Sequence, residues 1–251
     1  MRKGSLRVIV WLLFICSGVF LYIYYSDGLY AIDSKYKNKA IKNTIVAEKE
    51  NPFDRRINFD KLKSINRDVV GWVYIPGTTI DYPILIGSTD EEYLNKDIEG
   101  NYNPLGSIFS FSSTKRDLSD GHVILFGHNM RKFQMFGELR KFLNTDYMKE
   151  HRKFYIYTER STLEFDIFSI FSCDKDDDFF STGRELGTAE FVSFLSEVVS
   201  RNSNSDYNIG SSSISLSDSQ VFSLVTCNGS PGTSLRLTIN GVLVREKYII
   251  S

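Results

Sequence analysis

A cysteine, a histidine and an arginine in the second half of the chain have the types and positions needed for thiol chemistry. Cys227 follows residues 221–226, an apolar and β-branched run typical of a buried strand, and it precedes a run of turn-forming residues. His128 likewise follows an apolar run, residues 123–126, and Arg236 lies near the start of the next predicted strand. A strand end can present a reactive side chain on a rigid support, so these residues predict acyl transfer through a thiol nucleophile.

Each of these residues also has a plainer interpretation. Free cysteines are usually buried and inert, so Cys227 could be a core residue. Arg236 could pair with an acid, but it alternates with Leu235 and Leu237 and should therefore point away from the side that they share. In a thiol mechanism, Arg236 and the backbone N–H of Asn228 are the two candidate hydrogen-bond donors to an oxyanion.

Three histidines compete for the role of proton carrier. His122 follows a predicted turn, and His151 lies in a charged run that we expect to be solvated. Only His128 ends an apolar strand. A zinc site made of His122, His128 and Cys227 fits no common ligand spacing, and we expect neither a metal nor another cofactor.

Two short motifs give the chain a resemblance to a known family. The first motif is Ser-Leu-Val-Thr-Cys at residues 223–227, followed by the strand arginine, and the second is Gly-His-Asn-Met at residues 127–130. Both resemble the motifs of sortases, and more closely those of class B. Sortases are membrane-anchored cysteine transpeptidases of Gram-positive bacteria. They cut a sorting signal on a secreted protein and join the new carboxyl end to an amine of the cell wall or of a pilin. The resemblance extends over about residues 66–244.

The resemblance implies a mainly β fold, the eight-stranded sortase barrel with N-terminal helices and an inserted helix before the cysteine strand. The sequence pattern agrees, since many short strands with few helices predict a barrel or a sandwich. The predicted elements include a hairpin of residues 70–75 and 80–85, and helices over residues 133–142 and 188–199.

The resemblance also implies roles for individual residues. Cys227 would attack a Thr–Gly-type bond, His128 would protonate the leaving amine, and Arg236 would stabilise the intermediate. Four residues are expected to line the substrate groove, although the first three could equally be core: Leu94, Phe179, Phe180 and Thr226. No acid adjoins Cys227, so the sequence does not identify the group that orients His128.

Two other functions use the same residues or the same barrel. A membrane-anchored cysteine protease would share the thioester and differ in using water, and a non-catalytic anchored binding domain would need no nucleophile. The expected partners of a sortase are a sorting-signal peptide, an amine acceptor on peptidoglycan or a pilin, and the membrane. The sequence departs from the family at Ser223, where threonine is usual, and at Ser110-Phe111, where class B members often have Met-Asp.

The N-terminal residues predict a membrane anchor. Residues 8–25 are apolar apart from Ser17 and can cross most of a bilayer at about 1.5 Å per residue. Basic residues precede them and no small-residue cleavage site follows, which indicates a single-pass anchor with the body outside a Gram-positive cell. A cleaved signal peptide is the alternative. We expect residues 1–25 to be tip and anchor, 26–58 a stalk or helix, and 59–251 the catalytic domain.

Composition limits the remaining possibilities. The 251 residues are 42% hydrophobic and 14% aromatic, enough for one domain with a core. A net charge of −1 argues against a nucleic-acid partner. Of the three cysteines, only Cys173 and Cys227 could form a bridge outside the membrane, and that bridge would abolish the nucleophile. Cys173 follows an apolar run and is more consistent with a small buried hydrophobic residue.

Overall fold

The computed structural model describes residues 3–130, 134–203, 219–227 and 233–249, with side chains throughout except at 3–7, 20–27 and 227. The strands are β1 (Val46–Ala47), β2 (Arg56–Ile57), β3 (Val69–Tyr74), β4 (Asp81–Ile86), β5 (Ile108–Ser110), β6 (His122–Phe126), β7 (Lys153–Tyr157), β8 (Ser161–Asp174), β9 (Val221–Cys227) and β10 (Leu235–Tyr248). The α-helices are α1 (Lys3–Ile45), α2 (Phe59–Ile65), α3 (Thr145–Glu150) and α4 (Ala189–Ser200). Short 3-10 helices cover Pro52–Asp54, Glu92–Leu94, Gly137–Leu143 and Asp178–Phe180.

Strands β3 to β10 close into one barrel, which confirms the predicted eight-stranded fold. The order around the barrel is β10-β8-β7-β3-β4-β5-β6-β9, and β1 and β2 form a separate two-stranded sheet. The pairs β4–β5 and β6–β9 are parallel, and the other barrel pairs are antiparallel. The predicted hairpin is confirmed as β3 and β4.

Alternating apolar residues of the strands fill the barrel. Its centre includes Ile84, Leu125, Phe165 and Leu224, all of them fully buried. Helix α4 covers the outside of the barrel with apolar side chains that are spaced three or four residues apart. This helix confirms the one predicted over residues 188–199. Burying a large apolar side chain stabilises the fold by about 1.5–3 kcal/mol, so both layers contribute to the stability of the barrel.

A buried cluster of charges joins the N-terminal region to the barrel. Arg55, 1% exposed, donates to both carboxylate oxygens of Asp81 at 2.8 and 2.9 Å. Lys42 of α1 lies 2.5 Å from the same carboxylate, and the Trp72 indole N–H donates to it at 2.6 Å. The Arg55 guanidinium lies 4.3 Å from the centre of the Tyr74 ring. Removing one partner from a buried pair typically costs about 3–5 kcal/mol, so Asp81 fixes α1 and the adjoining segment against β4.

Helix α1 covers most of the predicted anchor and the first part of the predicted stalk, and it ends at Ile45. Strand β1, a 3-10 helix and β2 follow within the remainder of the predicted stalk. Within the part of the chain that the structure describes, no helix combines the length and the apolar character needed to cross a membrane.

One predicted helix is partly wrong. The pattern over residues 133–142 predicts an α-helix, whereas the structure has a 3-10 helix that begins only at Gly137. Met135 has a φ of 52°, a left-handed conformation that a right-handed helix cannot contain. The apolar spacing instead reflects burial of Met135, Phe136, Leu139 and Phe142 against the barrel. Residue 133 lies outside the described residues, as does most of the predicted loop over 201–213.

Candidate active site

Parallel pairing of β6 with β9 brings the histidine and the cysteine to the same end of the barrel. Phe126 is the register partner of Val225, and the backbone N–H of Gly127 donates to the Val225 carbonyl at 3.1 Å. His128 and Cys227 each follow this pair by two residues. The two strands run in the same direction, so both residues lie where their strands end.

Antiparallel pairing of β9 with β10 adds the arginine. Arg236 is the direct register partner of Cys227, which places their Cα atoms about 4.5–5.5 Å apart. Its guanidinium is partly buried and donates to the backbone carbonyls of Thr233 at 2.9 Å and Leu235 at 3.2 Å. Arg236 forms no ion pair with any acid among the described residues, so it differs from the structural arginine Arg55.

The second cysteine lies on the other side of Arg236. Arg236 is also the register partner of Cys173 on β8, so β10 separates the two cysteines. Two strand spacings put their Cα atoms about 10 Å apart, beyond the roughly 7 Å that a disulfide can span. Cys173 is a free thiol, 7% exposed, and burial raises its pKa to about 12. Cys173 is therefore a core residue, as its sequence indicates, and not a nucleophile at neutral pH.

A backbone carbonyl holds the ring of His128. His128 is half-buried, and its Nε2 lies 2.8 Å from the carbonyl oxygen of Leu94. A carbonyl can only accept, so Nε2 carries the proton and Nδ1 of the neutral ring is the nitrogen able to take one. The sequence could not identify this partner, because every residue has a backbone carbonyl.

His122, the first competing histidine, is a buried structural residue. Its Nε2–H donates to Ser223 Oγ at 2.8 Å, and that hydroxyl donates to Asn240 Oδ1 at 2.6 Å. Among the described residues, its Nδ1 has no hydrogen-bond partner. Burial lowers the pKa of His122 to about 3, and the charge of Arg184 contributes in the same direction. The ring is therefore neutral at physiological pH, and the described residues contain no cluster of metal-ligating side chains.

His151, the second competitor, is not the solvated residue that the charged run predicts. Its ring is half-buried and stacks on Tyr147 with the ring centres 4.1 Å apart, and its Nδ1 lies 2.8 Å from the Tyr147 carbonyl. Residue 151 ends α3, a short helix that the sequence pattern did not predict. The charged neighbours are exposed, while the ring centre of His151 also lies 6.3 Å from that of the buried Phe142.

The four predicted groove residues have different surroundings. Phe179 is 3% exposed and packs edge-on against Phe171, which makes it a core residue. Phe180 is half-buried, and its ring centre lies 6.1 Å from that of Phe126, directly before the Gly-His motif. Leu94 is also half-buried, and its backbone oxygen is the atom that contacts His128.

Thr226, the fourth of these residues, is 2% exposed, and its hydroxyl has no hydrogen-bond partner among the described residues. Asn228, the second predicted oxyanion donor, lies outside the described residues. Beside the strand end lies a group of aromatic rings that the sequence pattern does not predict. Phe126 contacts Phe111 with the ring centres 4.8 Å apart and Phe109 at 5.6 Å.

Comparison with known proteins identifies relatives. Residues 73–244 match the family model of the sortase domain. The chain is 26% identical over 238 residues to sortase B of Listeria monocytogenes, an alignment covering 91% of this chain and 94% of the relative. It is 31% identical over 156 residues to sortase B of Staphylococcus aureus, covering 61% and 63%. The structure of a Staphylococcus aureus sortase B–substrate complex aligns with a TM-score of 0.66 and 26% identity, covering 75% of this chain and 85% of that one.

The buried imidazole should make the fold sensitive to acid. The pKa of His122 is about 3 when folded and about 6.5 when unfolded, so below pH 6.5 the unfolded chain binds a proton that the folded chain does not. Stability present above pH 6.5 is then lost as the pH falls towards 3, at up to about 1.4 kcal/mol per pH unit. We expect His122→Gln to reduce this slope in urea unfolding measured from pH 7 to pH 4.

The matched control is Phe194→Leu, which alters the packing against the ring but keeps the imidazole. It should lower stability at every pH and retain the wild-type slope. An unchanged slope in His122→Gln would show that His122 is not the group that takes up the proton.

Proposed function

Because this chain belongs to the sortase family, whose members are cysteine transpeptidases, we propose that it cleaves the C-terminal sorting signal of a secreted protein and transfers the acyl group to an amine. The register between Arg236 and Cys227, at the end of the barrel where His128 also lies, is the observation that carries this proposal. Arg236 as a cation and His128 as a proton carrier near Cys227 support this chemistry, and Cys173, the other cysteine of the barrel, is a buried core residue.

The first half of the proposed cycle forms a thioester. Nδ1 of His128 takes the proton of the Cys227 thiol, and the sulfur attacks the carbonyl carbon of the Thr–Gly-type bond. Arg236 and the Asn228 N–H donate hydrogen bonds to the oxyanion of the tetrahedral intermediate. The carbon–nitrogen bond then breaks, and His128 returns its proton to the departing amine.

The second half releases the product. An amine attacks the thioester, His128 accepts a proton from it, and the sulfur leaves as the new amide forms. The proton then restores the thiol, so the enzyme is unchanged after one cycle. The acceptor can be an amine of peptidoglycan or of a pilin, since both present the same nucleophile. Acyl transfer by this route involves no change in oxidation state.

We also propose that residues 1–25 anchor the enzyme in the membrane, that residues 26–58 connect the anchor to the barrel and that residues 59–251 form the catalytic domain. The apolar run at residues 8–25 and the basic residues before it support this orientation, with the catalytic domain outside the cell. Lys42 supports a fixed connection, because its contact with Asp81 joins the connecting segment to β4.

Cys227→Ala should abolish cleavage and leave the fold intact, because it removes one sulfur atom at a strand end. The assay uses a pool of synthetic peptides with a central Thr–Gly bond and triglycine as the amine, with intact-mass spectrometry to detect an acyl-enzyme. Cys173→Ala is the matched control and should retain turnover. Cleavage by Cys227→Ala would exclude the proposal. Hydrolysis without transfer would indicate a protease, and peptide binding without an acyl-enzyme would indicate a binding domain.

Arg236→Ala should slow catalysis with little change in thermal stability. Loss of one oxyanion donor typically costs about 10² to 10³ in rate, roughly 3–4 kcal/mol. Arg236→Lys keeps the charge but lacks the planar fork, so it should recover only part of the rate. Single-turnover kinetics and thermal melts measure both effects. A rate loss that merely follows a collapsed melting temperature would make Arg236 structural, and wild-type rates in both variants would remove it from the mechanism.

The full chain should fractionate with membranes, and its catalytic domain should be digested by protease added to intact cells, because the proposed anchor leaves that domain outside. Extraction with carbonate and then with detergent separates an anchored protein from a peripheral one. Recovery of a mature form that begins near residue 27 would instead indicate a cleaved signal peptide.

A further inference from the structure

The carbonyl that orients His128 can occupy its position only because residue 106 is a glycine. We propose that Gly106 is a positioning residue, which acts on His128 through the Leu94 carbonyl and thereby sets the protonated nitrogen of the ring. This inference rests on the proposed role of His128 as the proton carrier. Gly106 itself touches none of the reacting atoms.

The space around Gly106 excludes any side chain. A Cβ atom at this position would lie 2.4 Å from the Leu94 carbonyl oxygen and 2.8 Å from the Tyr93 carbonyl oxygen. Both contacts are with backbone, which cannot rotate away as the end of a flexible side chain would. Since Cβ contacts below 3.0 Å are essentially never observed, the Leu94 oxygen would have to move by about 0.6 Å.

The segment that carries this oxygen is held at several other points. The Leu94 N–H donates to the Glu91 carbonyl at 3.0 Å, and the Ser107 N–H donates to the Tyr93 carbonyl at 3.0 Å. The Tyr93 hydroxyl donates to Asp68 at 2.8 Å. These bonds fix the chain before the oxygen, and the Asn103 N–H donates to the Asn95 carbonyl at 3.0 Å directly after it. A collision at residue 106 must therefore change the position or direction of the Leu94 carbonyl relative to the ring.

Such a displacement would affect His128 directly. The Nε2–O distance is 2.8 Å, and a hydrogen bond weakens steeply when its length and angle leave the favourable range. Without the acceptor, the proton can occupy either nitrogen and the ring can turn. Part of the enzyme would then carry the proton on Nδ1, the nitrogen that must be free to accept the thiol proton. Misplacement of a catalytic group by about 1 Å can cost about 100-fold in rate.

A second glycine in the same loop provides a matched control. Gly100 has a φ of +82°, close to the +60° of Gly106, so alanine is strained at both positions. A Cβ atom at Gly100 would meet nothing within 4 Å, whereas at Gly106 it meets the Leu94 oxygen. Alanine at either position therefore strains the backbone in the same way, but only alanine at residue 106 would collide with the Leu94 oxygen.

The first measurement uses the wild-type chain. Nitrogen-15 NMR of the histidine rings, with His128 assigned by comparison with His128→Gln, reports which nitrogen carries the proton in the neutral ring. We expect the Nε2–H form at His128. A ring protonated on Nδ1 would overturn the proposal, whether or not any variant folds.

The second measurement compares Gly106→Ala with Gly100→Ala. We expect Gly106→Ala to show a mixture of the two ring forms and a kcat lower by about 10- to 100-fold, with KM within about twofold of wild type. Gly100→Ala should keep the wild-type ring form and kcat, even if its melting temperature falls equally. Unchanged ring forms in Gly106→Ala, or equal losses of kcat in the two variants, would overturn the proposal.

The two proposals fail in different ways. If wild-type enzyme forms no acyl-enzyme with the Thr–Gly peptide pool, the proposed function fails, while the NMR comparison still decides whether Gly106 sets the state of His128. If the acyl-enzyme forms but the ring is insensitive to residue 106, the proposed function stands and Gly106 is a turn residue only.

Discussion

The parallel pairing of β6 with β9 is the constraint on which the rest of the structure depends. Parallel neighbours cannot be joined by a tight turn, so the chain must travel round most of the barrel between them. During that crossing it builds β7 and β8 of the barrel wall and α4, which packs on the outside of the barrel against the strand that carries the cysteine. Strand β9 is then enclosed between β6 and β10, with the β6 pairing ending at Val225 and the β10 pairing continuing to Cys227.

The segment before β5 that contacts His128 is also held in a fixed position. The ring of His128 is held by a backbone atom of this segment, and the segment is itself tied to the residue before β3 by the partly buried hydrogen bond from Tyr93 to Asp68. A carbonyl cannot change its protonation state, unlike the carboxylate that orients histidine in many hydrolytic enzymes. The orientation of His128 therefore depends on the geometry of the chain and not on the charge of a neighbouring acid.

The sequence predicted the elements more fully than their environments. Strands such as β6 and β9 follow directly from apolar runs, and α4 follows from its helical spacing, because local pattern and final burial coincide there. The apolar spacing around Met135 predicts an α-helix. In the structure the same residues are buried against the barrel, but Met135 has a left-handed backbone conformation that interrupts any α-helix there.

The site shows the same division. Cys227, His128 and Arg236 could be selected because their side chains carry chemistry and strand ends are visible in the sequence. The burial of His122 and the contact from Leu94 depend on residues far away in the chain, and no local pattern reports them. Gly106 closes a local turn, in which its N–H donates to the Asn103 carbonyl at 2.9 Å. The close approach of the Leu94 carbonyl oxygen to residue 106 exists only in the folded chain, so the sequence does not show that this position excludes a side chain.

The position of β10 between the two cysteines has a consequence for survival in an oxidising environment. An enzyme with two thiols in one small domain can inactivate itself by joining them, and the usual protection is a reducing compartment. Here the intervening strand would have to leave one of its neighbours before the sulfur atoms could meet, which would open the barrel. The topology therefore keeps Cys227, the proposed nucleophile, from forming a disulfide with Cys173 without any reductant.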